Sequence, residues 1–353
     1  MASSHTAVLL MAYGSPNRLE DVAAYFTDIR GGRAPSPEAV EELTARYRRV
    51  GVPTPLLAVS MELGRELERL LNIDPPDDRM YTVHVGMKHW TPRIATAIDE
   101  IVDSGADHVI AIVLAPHFST ISTGGYRRQV DRALAAARGG APSPSLDFVE
   151  SWHELDGYLE ALADNVRMVR AEFANPSEVV AIFTAHSLPA RILDEGDPYQ
   201  DQLLRTSELV AGRAGIEPWR FSYQSQSHTG EPWLGPDLVE TVEELAAHGH
   251  RDAAQAGGEH RQQFRRVVRP APGAVHRTAG GRVPGQRAHL VVVQRQAPGY
   301  PDDRGVPAAG AWAGLPVRGA ARHAGRPPRR RAEAAENVAG QQKFALVRAG
   351  GAA

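Results

Sequence analysis

Along residues 1–252, short runs of consecutive apolar residues alternate with longer stretches in which apolar positions recur every three or four residues. The continuous runs predict strands at "AVLLMAY" (7–13), "MYTVHVGM" (80–87), "HVIAIVLA" (108–115), "LDFVES" (146–151), "VVAIFTA" (179–185) and "WRFSYQS" (219–225). The helical spacing falls between and after them, in segments that begin "NRLEDVAAYF", "SPEAVEELTA", "PLLAVSMELG", "PRIATAIDEI", "GGYRRQVDRA", "LDGYLEALAD", "QDQLLRTSEL" and "PDLVETVEEL". Ser36-Pro37-Glu38 carries an N-cap, a first-turn proline and an acid suited to the helix dipole.

Strands alternating with helices imply right-handed crossovers and parallel sheets, an α/β fold. A Gly/Pro/Ser-rich stretch at Arg138–Ser145 divides two similar halves. The expected architecture is two Rossmann-like domains facing a cleft, at residues 1–140 and 145–252, with a third segment at 253–353. Ligands of open α/β sheets sit beyond the carboxyl ends of the strands, so those ends are where chemistry is sought.

Composition changes this picture at one place. Residues 1–252 hold 22 Lys and Arg against 37 Asp and Glu, a net −15, whereas residues 253–353 hold 17 against 5, a net +12. The tail is rich in Arg, Ala, Gly and Pro, and only "HLVVVQ" (289–294) reads as a strand. Such text buries too little apolar surface to offset chain entropy, and it is expected to be largely disordered, leaving the second domain incomplete. Two other readings stay open: a frameshift near Asp252, and a basic nucleic-acid arm, which lacks interleaved aromatics. The mean hydropathy of −0.32 and a start without a basic n-region lead to the expectation of a cytoplasmic chain with no membrane span. The chain has no cysteine, which excludes disulfides, thiolate metal sites and a cysteine nucleophile.

The strand ends collect candidates. The first, "AYGSP", carries Tyr13 and Ser15; the second, "GMKHWTP", carries Lys88, His89 and Trp90. The third, "LAPHFSTISTGGY", adds His117, Ser119, Thr120, Ser122 and Tyr126, and the fifth, "FTAHSLP", adds His186. Each has an ordinary reading as a cap, turn or core residue. For His186 the alternatives are a buried histidine capping a turn and a general base or metal ligand. After the sixth strand, "QSQSHTGEPWLGPD" is either a long surface loop or a functional one, with Trp233 as its anchor.

These motifs in order, together with "DIRGGRAP", "RYRRVGVPTPL", "VESW" and "GDPYQDQL", make the chain resemble the ferrochelatase family over about residues 6–252, most of all its coproporphyrin III form from monoderm bacteria. The resemblance implies insertion of ferrous iron into a porphyrin to give coproheme in haem biosynthesis, with no redox cofactor and with Fe²⁺ as a substrate. By the same match, His186 resembles the histidine that meets the metal or takes pyrrole protons, and Tyr13 the tyrosine that ligates product iron. Arg30, Arg46, Tyr47, Thr54 and Tyr126 resemble residues that contact the macrocycle or its carboxylates. Haem-pathway enzymes are the implied partners, and nucleic acid is not.

The chemistry suits these residue types. Imidazole is both a base of near-neutral pKa and a ligand for a borderline metal, and arginines bind carboxylates through charge-assisted hydrogen bonds. The chain departs from the family after "EELAAHG", where a strand and a GF-x-x-DHLE turn are expected. Glu259 and His260 do not fit that turn, and the family glutamate is not assigned to Glu259. A porphyrin or haem binder without turnover, or a chelatase acting on protoporphyrin IX, are therefore the alternative functions.

Overall fold

The computed structural model describes residues 4–73, 75, 77–137, 143–171, 173, 176, 179–226 and 230–247, and the backbone of strands at 252–256, 288–295 and 342–348. The chain forms two compact units. Among the described residues, the first holds everything up to His153 together with Gly196–Gln202; the second holds Glu154–Glu195 and the residues from Leu203 onward.

In the first unit, β1 (His5–Ala12), β2 (Met80–Met87), β3 (His108–Val113) and β4 (Ser145–Val149) form a parallel sheet in the order β2-β1-β3-β4. Every residue of β1 is buried, as expected for a central strand covered on both faces. Its side chains alternate between two cores. Ala7, Leu9 and Met11 pack with α4 (Ile94–Asp103) and α5 (Gly124–Ala136) through Ile94, Ile98, Ile101 and Val130. Val8, Leu10 and Ala12 meet α3 (Leu56–Ile73) through Leu56, Leu63 and Leu67.

A third apolar cluster lies past the carboxyl end of β1, where α1 (Val22–Ile29) and α2 (Pro37–Val50) gather Tyr13, Val22, Tyr25, Phe26, Leu43 and Tyr47. The Ser36 hydroxyl accepts from the Ala39 amide at 3.3 Å, the cap expected of Ser36-Pro37.

The stretch at Arg138–Ser145 does not separate the two sheets. The strand that follows it pairs with β3 in register from His108↔Ser145 to Ile112↔Val149, because α5 returns the chain to the same sheet in an ordinary crossover. Residues 145–153 thus belong to the first unit, whereas the sequence reading places them in the second.

The second unit holds α6 (Asp156–Arg170), β5 (Val179–His186), most of α7 (Tyr199–Ala214), β6 (Trp219–Gln224) and α8 (Leu238–Ala247). Like β1, β5 is buried along its whole length. It pairs parallel with β6 from Ala181↔Trp219 to His186↔Gln224. Its other edge takes β8 (Ala288–Arg295), parallel from Val179↔His289 to Thr184↔Gln294. The expected strand at 289–294 is thus present, since an apolar run can fill the open ladder of a buried strand. β7 (Asp252–Ala256) and the antiparallel β9 (Gln342–Arg348), which the sequence reading did not anticipate, complete a five-stranded sheet. The rest of the tail, with Glu259 and His260, lies outside the described residues.

Among the described residues no helix is long and apolar enough to cross a membrane.

Candidate active site

The first sheet turns from β2 through β1 to β3, so its topological switch lies between β1 and β3, beside Tyr13. Pairing of β1 with β2 continues past the strands: the Lys88 amide donates to Ala12 O and the His89 amide to Tyr13 O, both at 2.8 Å. Directly after Tyr13, Gly14 holds φ +93, and a Cβ there would stand 2.9 Å from the Trp90 nitrogen. Only glycine admits both that backbone and that approach.

Tyr13 is 1% exposed, and its ring lies 4.5 Å from that of His89. The Asp28 carboxylate receives His89 Nδ1 at 2.9 Å and Arg93 Nη1 at 2.9 Å, which sets the His89 tautomer. Burial tends to raise the Asp28 pKa, but the bonds from His89 and Arg93 outweigh it and hold the carboxyl below its ordinary value. Burial lowers His89 against the opposing pull of Asp28. The Tyr25 hydroxyl donates to Gly14 O at 3.1 Å, and its ring meets Tyr47 and Trp90 edge-on at 6.1 and 5.9 Å.

The structure gathers some of the expected contact residues and separates others. Tyr13 and Tyr47 share the aromatic cluster, and the Thr54 hydroxyl meets that of Ser15 at 2.5 Å. Arg46 is next to Tyr47 on α2 and pairs with Glu42. Arg30 is exposed at the end of α1, 5.7 Å over the Phe26 ring. Tyr126 belongs to the core under α4 and α5, with Lys88 Nζ 4.8 Å from its ring centre.

At the end of β3, Ser119 Oγ and the Thr120 amide both donate to Asp197 Oδ2, at 3.1 and 2.7 Å, and the Phe118 amide donates to Gln202 Oε1 at 2.8 Å. His117 is buried with its ring 5.4 Å from that of His153. The backbone amides of Phe118 and Thr120 and the hydroxyl of Ser119 thus find their acceptors in the segment Gly196–Gln202.

In the second unit, His186 is the last residue of β5 and is 7% exposed. Burial pushes its imidazole down to about 4, so it is neutral at pH 7. The turn after it is held by main chain. Ser187 N donates to Gln224 O, Leu234 N to Leu188 O and Ala190 N to Pro232 O, each at 2.8 Å. The Ser187 hydroxyl donates to Leu234 O at 2.8 Å. The loop carrying Trp233 is therefore the backbone partner of "HSLP", with a bridge between Pro189 and Trp233.

The ferrochelatase family model matches residues 5–256. The chain belongs to the ferrochelatase family.

Among curated relatives, the ferrochelatase of Herpetosiphon aurantiacus is 44% identical over 255 residues, covering 72% of this chain and 82% of the relative. That of Deinococcus radiodurans is 40% identical over 249 residues, covering 69% and 76%. The coproporphyrin III ferrochelatase of a Geobacillus species is 37% identical over 247 residues, covering 69% and 78%. As a ferrochelatase the chain is a lyase of porphyrin biosynthesis that inserts a metal into a porphyrin. Among the described residues no three His, Asp or Glu side chains are grouped so that they could hold a metal ion.

Sequence reasoning missed the residues that hold this ferrochelatase site in shape. Tyr25, Asp28 and Arg93 fall within segments read as helical, and Asp197 lies inside the motif "GDPYQDQL" with no role given to it. The usable signals were Asp28, directly before Ile29-Arg30, and Asp197, each inside a motif already quoted for the resemblance.

Proposed function

We propose that the chain inserts Fe²⁺ into coproporphyrin III. The observation that carries this reading is His186, an imidazole kept neutral by burial at the end of a strand in a chain of this family. Insertion releases two pyrrole protons as the metal enters. A neutral imidazole accepts one of them and can also hold a borderline divalent metal; the second proton leaves to solvent. Tyr13 would be the oxygen ligand of product iron. Arg30 and Arg46 would bind propionates, while Tyr47, Thr54 and Tyr126 contact the macrocycle. Coproporphyrin is favoured as substrate because several relatives at 36–37% identity bear that name.

A binder without turnover is the second reading, favoured by the family match ending at residue 256. The test is anaerobic absorbance of the full chain with Fe²⁺ and coproporphyrin III or protoporphyrin IX, beside His186→Ala. The expected result is faster turnover of coproporphyrin and a loss of about 100-fold or more in the variant, the range of general-base catalysis. A shifted porphyrin spectrum without turnover selects the binder, and faster turnover of protoporphyrin overturns the substrate.

A further inference from the structure

Lys88 and His89 are neighbours in sequence with opposite surroundings. His89 is tied to Asp28, whereas among the described residues Lys88 has no carboxylate partner. Its ammonium donates to Ser122 O at 3.2 Å and lies over the face of Tyr126. The other charge close to it is also positive: Arg128, whose Nη1 donates to Thr120 O at 3.4 Å and which likewise has no carboxylate partner among the described residues.

The two cations converge on one glycine. The point where a Cβ would stand at Gly125 lies 2.8 Å from Lys88 Nζ and 3.7 Å from Arg128 Nη2. Gly125 and Lys88 are partly exposed and Arg128 is exposed, so a ligand can reach this point from solvent. The first-turn amides of α5 are occupied, with Gly124 N donating to Ser119 O, Gly125 N to Ser122 O and Tyr126 N to Thr123 O. The helix end therefore adds field and no free donors. Two like charges held together over a gap, one of them desolvated, are a costly arrangement that an anion relieves. Nearby, the Tyr126 hydroxyl is buried without a hydrogen-bond partner among the described residues.

We propose that Lys88 and Arg128 form an anion seat over Gly125 that takes a carboxylate of the porphyrin substrate. The assignment rests on the coproporphyrin reading for the choice of a carboxylate, and adds a seat on the β2–α5 side to those at Arg30 and Arg46. Burial, reinforced by the Arg128 charge, brings the Lys88 ammonium down to about 8, as befits a cation awaiting its counter-ion.

The test is fluorescence titration of the full chain with coproporphyrin III and with its tetramethyl ester, for wild type, Lys88→Met, Lys88→Arg, Arg128→Gln and Gly125→Ala. Lys88→Met should bind the acid about tenfold more weakly, the scale of one charge-assisted contact, and bind the ester as wild type does. Arg128→Gln and Gly125→Ala should lose a few-fold for the acid alone, and Lys88→Arg should retain binding. Equal losses for acid and ester, or none for the acid, overturn the seat; Arg128→Gln, altered on an exposed side chain, keeps the test open should Lys88→Met fail to fold. Protoporphyrin IX, with two carboxylates, separates the readings: if it binds as tightly as coproporphyrin and loses as much in Lys88→Met, the seat stands and the coproporphyrin assignment falls. If inorganic sulfate raises the melting temperature of wild type and not of Lys88→Met, while porphyrin binding is unchanged between them, the seat belongs to a free anion and the substrate assignment is overturned.

Discussion

The carboxyl ends of β1 and β5 each present one residue proposed to meet the metal, and they hold it by different means. Around Tyr13 the main-chain bond from the His89 amide is joined by a shell of side chains: the aromatic group of Tyr25, Tyr47 and Trp90, the Asp28 carboxylate between His89 and Arg93, and the Ser15–Thr54 contact. After His186 the restraints are backbone hydrogen bonds to the loop at 224–234, with one serine hydroxyl added. The first arrangement tunes polarity and charge locally. The second fixes position, and burial lowers the pKa of the imidazole it places.

The largest break in that contrast is expected from Gly14→Ala. The new Cβ would meet the Trp90 nitrogen at 2.9 Å with φ at +93, and the cost of strain plus clash is about 3 kcal/mol. Urea unfolding measures it, and unchanged stability would mean the β1–β2 junction is soft.

Lys88→Met works the other way, removing a desolvated cation. With Lys88 at about 8 folded against 10.5 unfolded, its penalty is fully present below pH 8 and fades as pH rises to about 10.5, where the unfolded state also loses its proton. The variant should therefore be more stable than wild type by about 2–3 kcal/mol at pH 7. That gain should shrink between pH 8 and 10, and thermal melts across this range decide it; a gain independent of pH would show that packing is responsible.

The smallest effect is expected from Ser187→Ala, which removes one buried hydroxyl from a turn already held by three backbone bonds. A loss of about 1 kcal/mol with iron insertion nearly unchanged would support backbone control of His186. A large loss of rate would show that the hydroxyl positions the imidazole.

Much of this was legible in the sequence, because buried parallel strands read as continuous apolar runs. All six expected strands are present within one or two residues at their ends, and His186 stands at the end of β5. The membership of β4 was not legible, since "LDFVES" reads alike as an edge strand of either sheet and only pairing with β3 decides it. Nor could periodicity show that Asp28 on α1 meets His89 after β2, a partnership across 61 residues. Likewise, that Lys88 has no carboxylate partner among the described residues is a property of its spatial neighbours.

The Asp197 contacts bear on the order in which the chain completes itself during synthesis. Three donors of the loop after β3, Phe118 N, Ser119 Oγ and Thr120 N, find their acceptors in Gly196–Gln202, which follows Glu154–Glu195 of the other unit. All four strands of the first sheet leave the ribosome before this clasp does. Those three donors of the loop that carries His117 thus stay in water until residue 202 has emerged, and a nascent chain exposed only as far as His153 would display all four strands with the loop after β3 unlatched.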